Sequence, residues 1–279
     1  MIRLIQVDLR RVCRDKLFLI ACILATVFAV STPLLYFVLV EVMGSSFGET
    51  EEMLASVGVF ITAKSQFFTS FSLMNNFGLI FPILLAIIFS KDFGHGTVRN
   101  KIIGGHSRTA IFLSAYFTCL IVTLVVMLAQ AVLTMLVALL FFPFQDTQFF
   151  ITDIGYLLLS VFFECVLYAF IAALVVTVCM TVKNAGLSAV LFLAVIMITS
   201  TVTTIVQTGT MLPASILTPT VVRILDVLRK VDVFGYSNLI GQGVTYRLID
   251  AFCYGTVPLV AAAALLAFGI WRFRRSDLK

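Results

Sequence analysis

Basic and titratable side chains are concentrated in one short segment of an otherwise apolar chain. The segment KDFGHGTVRNKIIGGHSR, residues 91–108, contains both histidines and the cations Lys91, Arg99, Lys101 and Arg108. Such a cluster suits either contact with lipid headgroups or docking to a soluble partner. Which use applies depends on how rigidly the segment is held.

Glycines divide this segment into helical pieces. Gly94 and Gly96 predict a break after a preceding helix, and Thr97 is a suitable N-cap for the short stretch VRNKII. The glycine pair at 104–105 predicts a left-handed C-cap, and Ser107 can cap the next helix. The result is a short helix across the ends of two longer ones. It serves either as a basic anchor or as a rigid peg for a soluble partner, and the glycines favour the peg.

The elements that hold the segment are apolar helices. The chain is 61% hydrophobic and 12% charged, with a mean hydropathy of +1.12, whereas soluble domains are about 45–50% apolar. About 20 apolar residues cross a hydrocarbon layer, so we predict an all-α membrane protein of six transmembrane helices forming one domain, residues 1–279. The predicted spans cover about residues 17–39, 68–89, 109–142, 154–180, 185–208 and 251–271. The third is too long for an untilted crossing and should tilt or project.

Basic residues predict the orientation, because short cytoplasmic loops retain Lys and Arg. Residues 3–16 and 272–279 are basic, so both termini should be cytoplasmic, which requires an even number of spans. The acidic loop after the first span then lies outside, and residues 91–108 lie inside. The segment 209–250 disagrees because it carries several cations in a loop that should be external, although nearby aspartates offset them.

Two further segments read as helices that do not cross the membrane. Residues 1–16 have apolar and basic faces, which predicts an amphipathic surface helix that bends into the first span near Lys16. Residues 219–234 have a similar pattern with Pro219 near the helix start, which predicts an external helix or re-entrant hairpin over the last two spans, ending near Gly235.

Polar side chains inside the predicted spans are candidates for function. Glu164 is the one acid well inside a span, and an intramembrane acid usually faces protein or water. Hydroxyls in the outer half of the fifth span recur at i, i+4 spacing. The alternative is that these groups bond to neighbouring helices or to their own backbone and only stabilise the bundle. The candidates for a translocation path are Asn75, Asn76, Glu164, Thr199, Thr203 and Thr204.

Several classes of function lack support in the sequence. The six cysteines form no CxxC pair and no set with histidine, so we predict no metal site. No HExxH or GxSxG motif is present, and we predict no catalytic residue. The topology explains the net charge of +5, so nucleic acid is not an expected partner.

The architecture and the segment 91–108 together resemble a known family. The order of surface helix, six spans, a short helix after span two and helical structure after span five resembles the permease subunit of ABC-2 type transporters. The run of acid, glycine, threonine, base and Ser-Arg is similar to the coupling helix of bacterial permeases for bacitracin and lantibiotic export and immunity. His95 departs from that pattern. In this chain the coupling region would comprise Asp92, Gly96, Thr97, Arg99, Lys101, Ser107 and Arg108.

The resemblance implies partners and a location. It implies two permease subunits, identical or different, in a bacterial cytoplasmic membrane, with spans two and five at their interface. Two copies of an ATP-binding subunit would bind ATP and Mg²⁺, since this chain has no GxxxxGK[ST] motif and is expected to bind no cofactor itself. The implied function is ATP-driven export of an amphiphilic substrate such as an antimicrobial peptide or a lipid-like molecule.

Two other functions stay open from the sequence. A stand-alone secondary transporter or channel would need inverted repeats and several buried ionisable groups, and Glu164 stands nearly alone. A non-transporting membrane immunity protein would bind a toxin without moving it. ATP-dependent movement of substrate distinguishes the exporter from both.

Overall fold

A computed structural model describes residues 1–47, 62–73, 77–94, 96–144, 151–211, 218–241 and 248–275, and every regular element within these ranges is an α-helix. This confirms the all-α prediction. The helices are α1 (Ile2–Arg14), α2 (Lys16–Phe47), α3 (Ala63–Phe71), α4 (Phe77–Gly94), α5 (Thr97–Ile103), α6 (Arg108–Ala138), α7 (Ile151–Val182), α8 (Ala185–Met211), α9 (Pro219–Val231), α10 (Val233–Gly241) and α11 (Leu248–Arg275).

Five of these helices are long and apolar enough to cross a membrane: α2, α6, α7, α8 and α11. The pair formed by α4 and α5, which is bent by 52°, gives a sixth candidate if the pair counts as one span. The chain is therefore a multi-pass membrane protein by the length and composition of its helices.

The second predicted span, residues 68–89, is not continuous. Helix α3 ends at Phe71, Ser72 has an extended backbone conformation, and a new helix, α4, begins at Phe77. Gly78 allows the chain to fold closely here, because a Cβ at this position would lie 2.6 Å from the carbonyl oxygen of Leu73. The apolar run could not reveal this break, and α4 counts as a span only together with α5.

The third predicted span is also shorter than expected. Helix α6 ends at Ala138 instead of continuing to 142, and the chain then turns back towards α3. The backbone N–H of Ala63 donates to the carbonyl of Pro143 at 2.9 Å. Because α3 packs beside α6, the two broken ends satisfy each other's backbone groups.

Helices α1 and α2 meet at Asp15, where the bend was predicted. Asp15 is extended, and its carboxylate accepts a hydrogen bond from the backbone N–H of Leu17 at 2.8 Å. The side chain therefore caps α2 and fixes the angle at which the chain leaves α1.

Helix α7 lies at the centre of the bundle and packs against α4, α6, α8 and α11. Close contacts need small residues: a Cβ on Gly269 of α11 would lie 2.5 Å from the ring of Phe112 on α6. Helix α4 buries Phe77, Phe81 and Phe89 in the same core. Helix α4 is mostly buried within its own chain, whereas α8 exposes much of its apolar surface.

The segment 218–241, for which a helix or re-entrant hairpin ending near Gly235 was predicted, forms two helices. Helix α9 starts at Pro219 as predicted and ends at Val231, and α10 begins two residues later, after Asp232. Val233 and Tyr236 of α10 pack with aromatic residues of α7 and α11, whereas α9 buries only Leu225. The apolar face predicted to be covered is mostly exposed in the single chain.

Candidate functional site

The segment 91–108 forms the short helix that its glycines predict. Gly96, at φ 67°, is the N-cap of α5, so the N-cap is this glycine and not Thr97, which is the first helical residue. Gly105, at φ 84°, turns the chain after the helix, and the Ser107 hydroxyl accepts the backbone N–H of Ala110 at 3.2 Å to cap α6. Glycines thus define both ends of α5, and the capping serine starts α6.

We expect Gly105→Ala to destabilise the protein by about 1 kcal/mol, because an alanine is strained in the left-handed region. Space is not the cause, since no atom lies within 4 Å of the Cβ position. Gly104→Ala is the matched control: Gly104 has φ −71°, and its added methyl makes ordinary contacts. Thermal unfolding in detergent compares the two. Equal effects would contradict a conformational role for Gly105.

The exposed side of α5 combines charge with an apolar tip. Arg99, Asn100 and His106 are exposed, and Ile103 is 75% exposed, while Val98 is buried against the bundle. Ile103 is not among the residues predicted from the sequence, because apolar spacing indicates burial and only the arrangement of the neighbouring helices shows that this side faces outward. An exposed isoleucine beside an arginine suits a protein contact.

Lys101, expected to contact a partner, is bound within the chain. Its ammonium lies 2.5 Å from the Asp8 carboxylate of α1, and the two side chains are 11% and 2% exposed. The second Asp8 oxygen accepts a hydrogen bond from Ser114 of α6 at 2.7 Å. Asp8 therefore does not belong to the solvent face of α1, and the pair joins α1, α5 and α6.

Two more ion pairs join α1 and its junction with α2 to the end of α4. Arg11 lies 2.5 Å from Asp92, whose side chain is largely buried. Lys91 lies 3.4 Å from Asp15 and is more exposed. The N-terminal helix is thus held against the helix that precedes α5.

Arg108, the first residue of α6, contacts the C-terminal end of α11. Its guanidinium donates to the backbone carbonyl of Arg274 at 2.9 Å, near the end of α11. A cation at a helix C-terminus is favoured by the unpaired carbonyls there. Asp92, Lys101 and Arg108 therefore hold α1, α4, α5, α6 and α11 together, and Arg99 is the exposed cation of the predicted coupling set on α5.

Glu164 belongs to a buried polar network at the break between α3 and α4. Its Oε1 accepts a hydrogen bond from Ser237 of α10 at 2.9 Å. The Ser237 hydroxyl in turn accepts the backbone N–H of Leu73 at 2.7 Å and lies 2.8 Å from the Ser72 hydroxyl. Oε2 of Glu164 is buried and has no partner within the described residues. Ser237 of α10 therefore bonds both to the broken helix and to Glu164 of α7.

We expect Ser237→Ala to lower the free energy of unfolding by about 2 kcal/mol, since it removes the buried hydroxyl that bonds to both the Leu73 N–H and Oε1 of Glu164. Ser188→Ala is the matched control: Ser188 is also fully buried, but its hydroxyl has no partner in the described part of the chain. That change should be neutral. Chemical unfolding in micelles measures both, and a loss at Ser188 as large as at Ser237 would contradict the network's role.

The residues predicted to line a translocation path make different contacts. Thr199 and Thr204 donate to carbonyls of their own helix, at Val195 and Ser200. Thr203 differs, because its hydroxyl donates to the Asp232 carboxylate at 2.9 Å. Asn75, Asn76 and His95 lie outside the described residues.

The described residues contain no group of His, Cys, Asp and Glu side chains that could hold a metal ion. All six cysteines are free thiols. The chemistry that this arrangement supports is ion pairing and hydrogen bonding between helices, together with a short helix, α5, that exposes one side.

Comparison with known proteins gives one relationship. No curated protein matches the chain. A family model described as "Protein of unknown function (DUF2705)" matches residues 60–279, which include every helix from α3 to α11. This match covers more than half of the chain, so the protein belongs to the DUF2705 family.

Proposed function

We propose that this chain is the permease subunit of an ATP-driven ABC-2 type exporter in a bacterial cytoplasmic membrane. Two permeases would act together, with two ATP-binding subunits that supply ATP and Mg²⁺. The observation that carries the proposal is α5: a short helix with glycine-defined ends, whose outer side exposes Arg99 and Ile103.

The connections of α5 explain how such a helix would act. Its start follows α4 through Gly96, its end continues into α6 through Ser107, and Lys101 joins it to α1. A force on α5 therefore reaches three other helices directly. An ATP-dependent partner can drive transport only if it prefers one of two arrangements of these helices. The ion pairs supply the rigid connection for that preference.

The same geometry explains why the docking surface is small. Asp92, Lys101 and Arg108 make contacts within the chain, which leaves Arg99, Asn100, Ile103 and His106 for a partner. An apolar tip beside a cation fits a groove with an apolar floor and an acidic rim. The partner is then recognised by shape at Ile103 and by charge at Arg99.

Purification from native membranes in mild detergent, followed by mass identification of co-purifying proteins, tests the proposal. We expect a stoichiometric ATP-binding protein. ATP-dependent substrate movement in vesicles of the purified complex then distinguishes an exporter from an immunity protein that only binds its toxin. A chain that purifies without any ATP-binding protein would contradict the exporter.

The buried carboxyl of Glu164 favours one second candidate, a stand-alone secondary carrier. A broken helix beside an ionisable group is a feature of carrier sites, and Ser72 and Glu164 share Ser237 as a partner. Transport by the chain alone, driven by an ion gradient and lost in Glu164→Gln, would establish that candidate instead.

A further inference from the structure

A cavity of about 220 Å³ lies at the end of the bundle opposite α5, between α7, α8, α9 and α10. Its walls are mostly apolar. They include Phe170, Val202, Leu228, Val231 and Phe234, and Asp232 contributes a carboxylate. The cavity therefore combines one charged group with surroundings suited to hydrocarbon.

The Asp232 carboxylate is held in a fixed position. Its Oδ1 accepts hydrogen bonds from the Thr203 hydroxyl at 2.9 Å and from the Gly235 backbone N–H at 3.0 Å. The second bond caps α10, but an asparagine oxygen would cap the helix equally well. Capping therefore explains the oxygen at this position and leaves the negative charge unexplained.

The charge of Asp232 has no cationic partner in the described part of the chain. The three ion pairs described above lie around α1, at the other end of the bundle. Arg229 and Lys230 are the nearest cations in sequence, and both are exposed on α9. A half-buried carboxylate among apolar walls is costly unless a cation pairs with it.

Gly235 provides the space that Oδ2 of Asp232 occupies. A Cβ at this position would lie 2.5 Å from Oδ2. Two hydrogen bonds thus fix Oδ1, and the glycine lets the carboxylate lie close to the start of α10.

We propose that this cavity binds the cationic head of an amphiphile, an ammonium or guanidinium group attached to a hydrocarbon chain or an apolar peptide. The cation pairs with Asp232, and the adjoining carbons lie against Phe170, Val202 and Phe234. This deepens the exporter proposed above, on which it rests, by naming the class of substrate: amphiphiles with a positive charge, in preference to neutral or acidic ones.

Equilibrium dialysis of radiolabelled decylammonium tests the site, with the purified chain in phosphatidylcholine nanodiscs and empty nanodiscs as the background. We expect the chain to bind decylammonium at least about tenfold more tightly than decanol, because a charged hydrogen bond is lost with the alcohol. Asp232→Asn should remove that preference. Asp226→Asn, which removes the same charge from the exposed side of α9, should retain it.

A second pair of variants addresses the cavity without touching the α10 cap. Val231 and Val227 are both 62% exposed on α9, but only Val231 lines the cavity. Val231→Lys places an ammonium beside Asp232 and should weaken decylammonium binding about tenfold, and Val227→Lys should not. Binding that ignores head charge in the unaltered chain, or that survives Asp232→Asn and Val231→Lys, would overturn the site.

These measurements are independent of the ATP-binding partner. Loss of the ammonium preference would contradict the proposed substrate class, but it would not affect co-purification of an ATP-binding protein. Absence of that protein with the preference intact would instead assign the cavity to a carrier or binding protein.

Discussion

Replacing Lys101 with Met should lower the free energy of unfolding by about 4 kcal/mol, because it leaves the Asp8 carboxylate buried without its cation. Asp8 is 1% exposed, and its other partner, the Ser114 hydroxyl, carries no charge. Chemical unfolding of the full chain in micelles measures the change. Lys91→Met is the matched control: its pair with Asp15 is longer and more exposed, so the loss should stay under about 1 kcal/mol.

The double variant Asp8→Asn, Lys101→Met should recover most of the lost stability. It leaves neither a buried anion nor a buried cation, and the asparagine can still bond to Ser114. A double variant as unstable as Lys101→Met alone would contradict the ion pair as the cause. Equal losses for Lys101→Met and Lys91→Met would contradict the difference in burial on which the expectation rests.

The second large effect is expected on partner binding. The double variant Arg99→Glu, Ile103→Asp should weaken the complex with an ATP-binding subunit about a thousandfold, because it reverses the charge and makes the apolar tip of α5 acidic. Both side chains are exposed, so stability should be unchanged. Association of purified subunits and stimulation of ATP hydrolysis provide the two measurements.

The matched control changes the same residue types at the other end of the bundle. Arg223→Glu with Val221→Asp alters an exposed cation and an exposed apolar residue of α9. That variant should bind the ATP-binding subunit normally. Reversal of Lys101 is unsuitable for this test, since its ion pair with Asp8 makes the fold itself depend on it. Unchanged affinity in the α5 variant would show that α5 is not the docking element.

Local signals predicted the parts of the fold that depend on neighbouring residues. The bend before Lys16, the Ser107 cap and the start of α9 at Pro219 follow from the residue types at these positions. Gly105 ends α5 as expected. The prediction that Thr97 caps the start of α5 was wrong. Both Gly96 and Thr97 fit a helix start, and Gly96 is the N-cap because its backbone adopts a positive φ.

Contacts between distant segments could not be predicted in this way. The break at Ser72 depends on Ser237, far along the chain, and Asp8 is buried because Lys101 and Ser114 lie beside it. Charge pattern alone placed Asp8 on a polar surface. The sequence therefore indicated where polar chemistry lies, and the tertiary structure determined which charges stay available.

The sequence predicted which segment forms the candidate site, but it did not predict which residues of that segment are exposed. Of its cations, Arg99 is exposed on α5, whereas Lys101 and Arg108 bind within the chain. Ile103 belongs to the candidate site only because the structure shows that its side chain is exposed. Asp232 is one of the aspartates that offset the cations of residues 209–250, and its position in a cavity near Thr203 depends on the packing of α9 and α10 against α8.

Photo-crosslinking from α5 in native membranes tests the exporter most directly. A photoreactive amino acid at Ile103, followed by mass identification of the adduct, should capture an ATP-binding protein. The same group at Val227 of α9, also exposed, should capture none, because α9 would lie on the other side of the membrane. Capture of an ATP-binding protein from 103 alone would support both the docking helix and the orientation. Its absence at 103, or equal capture at 227, would contradict the proposal that this chain is the permease of an ATP-driven exporter.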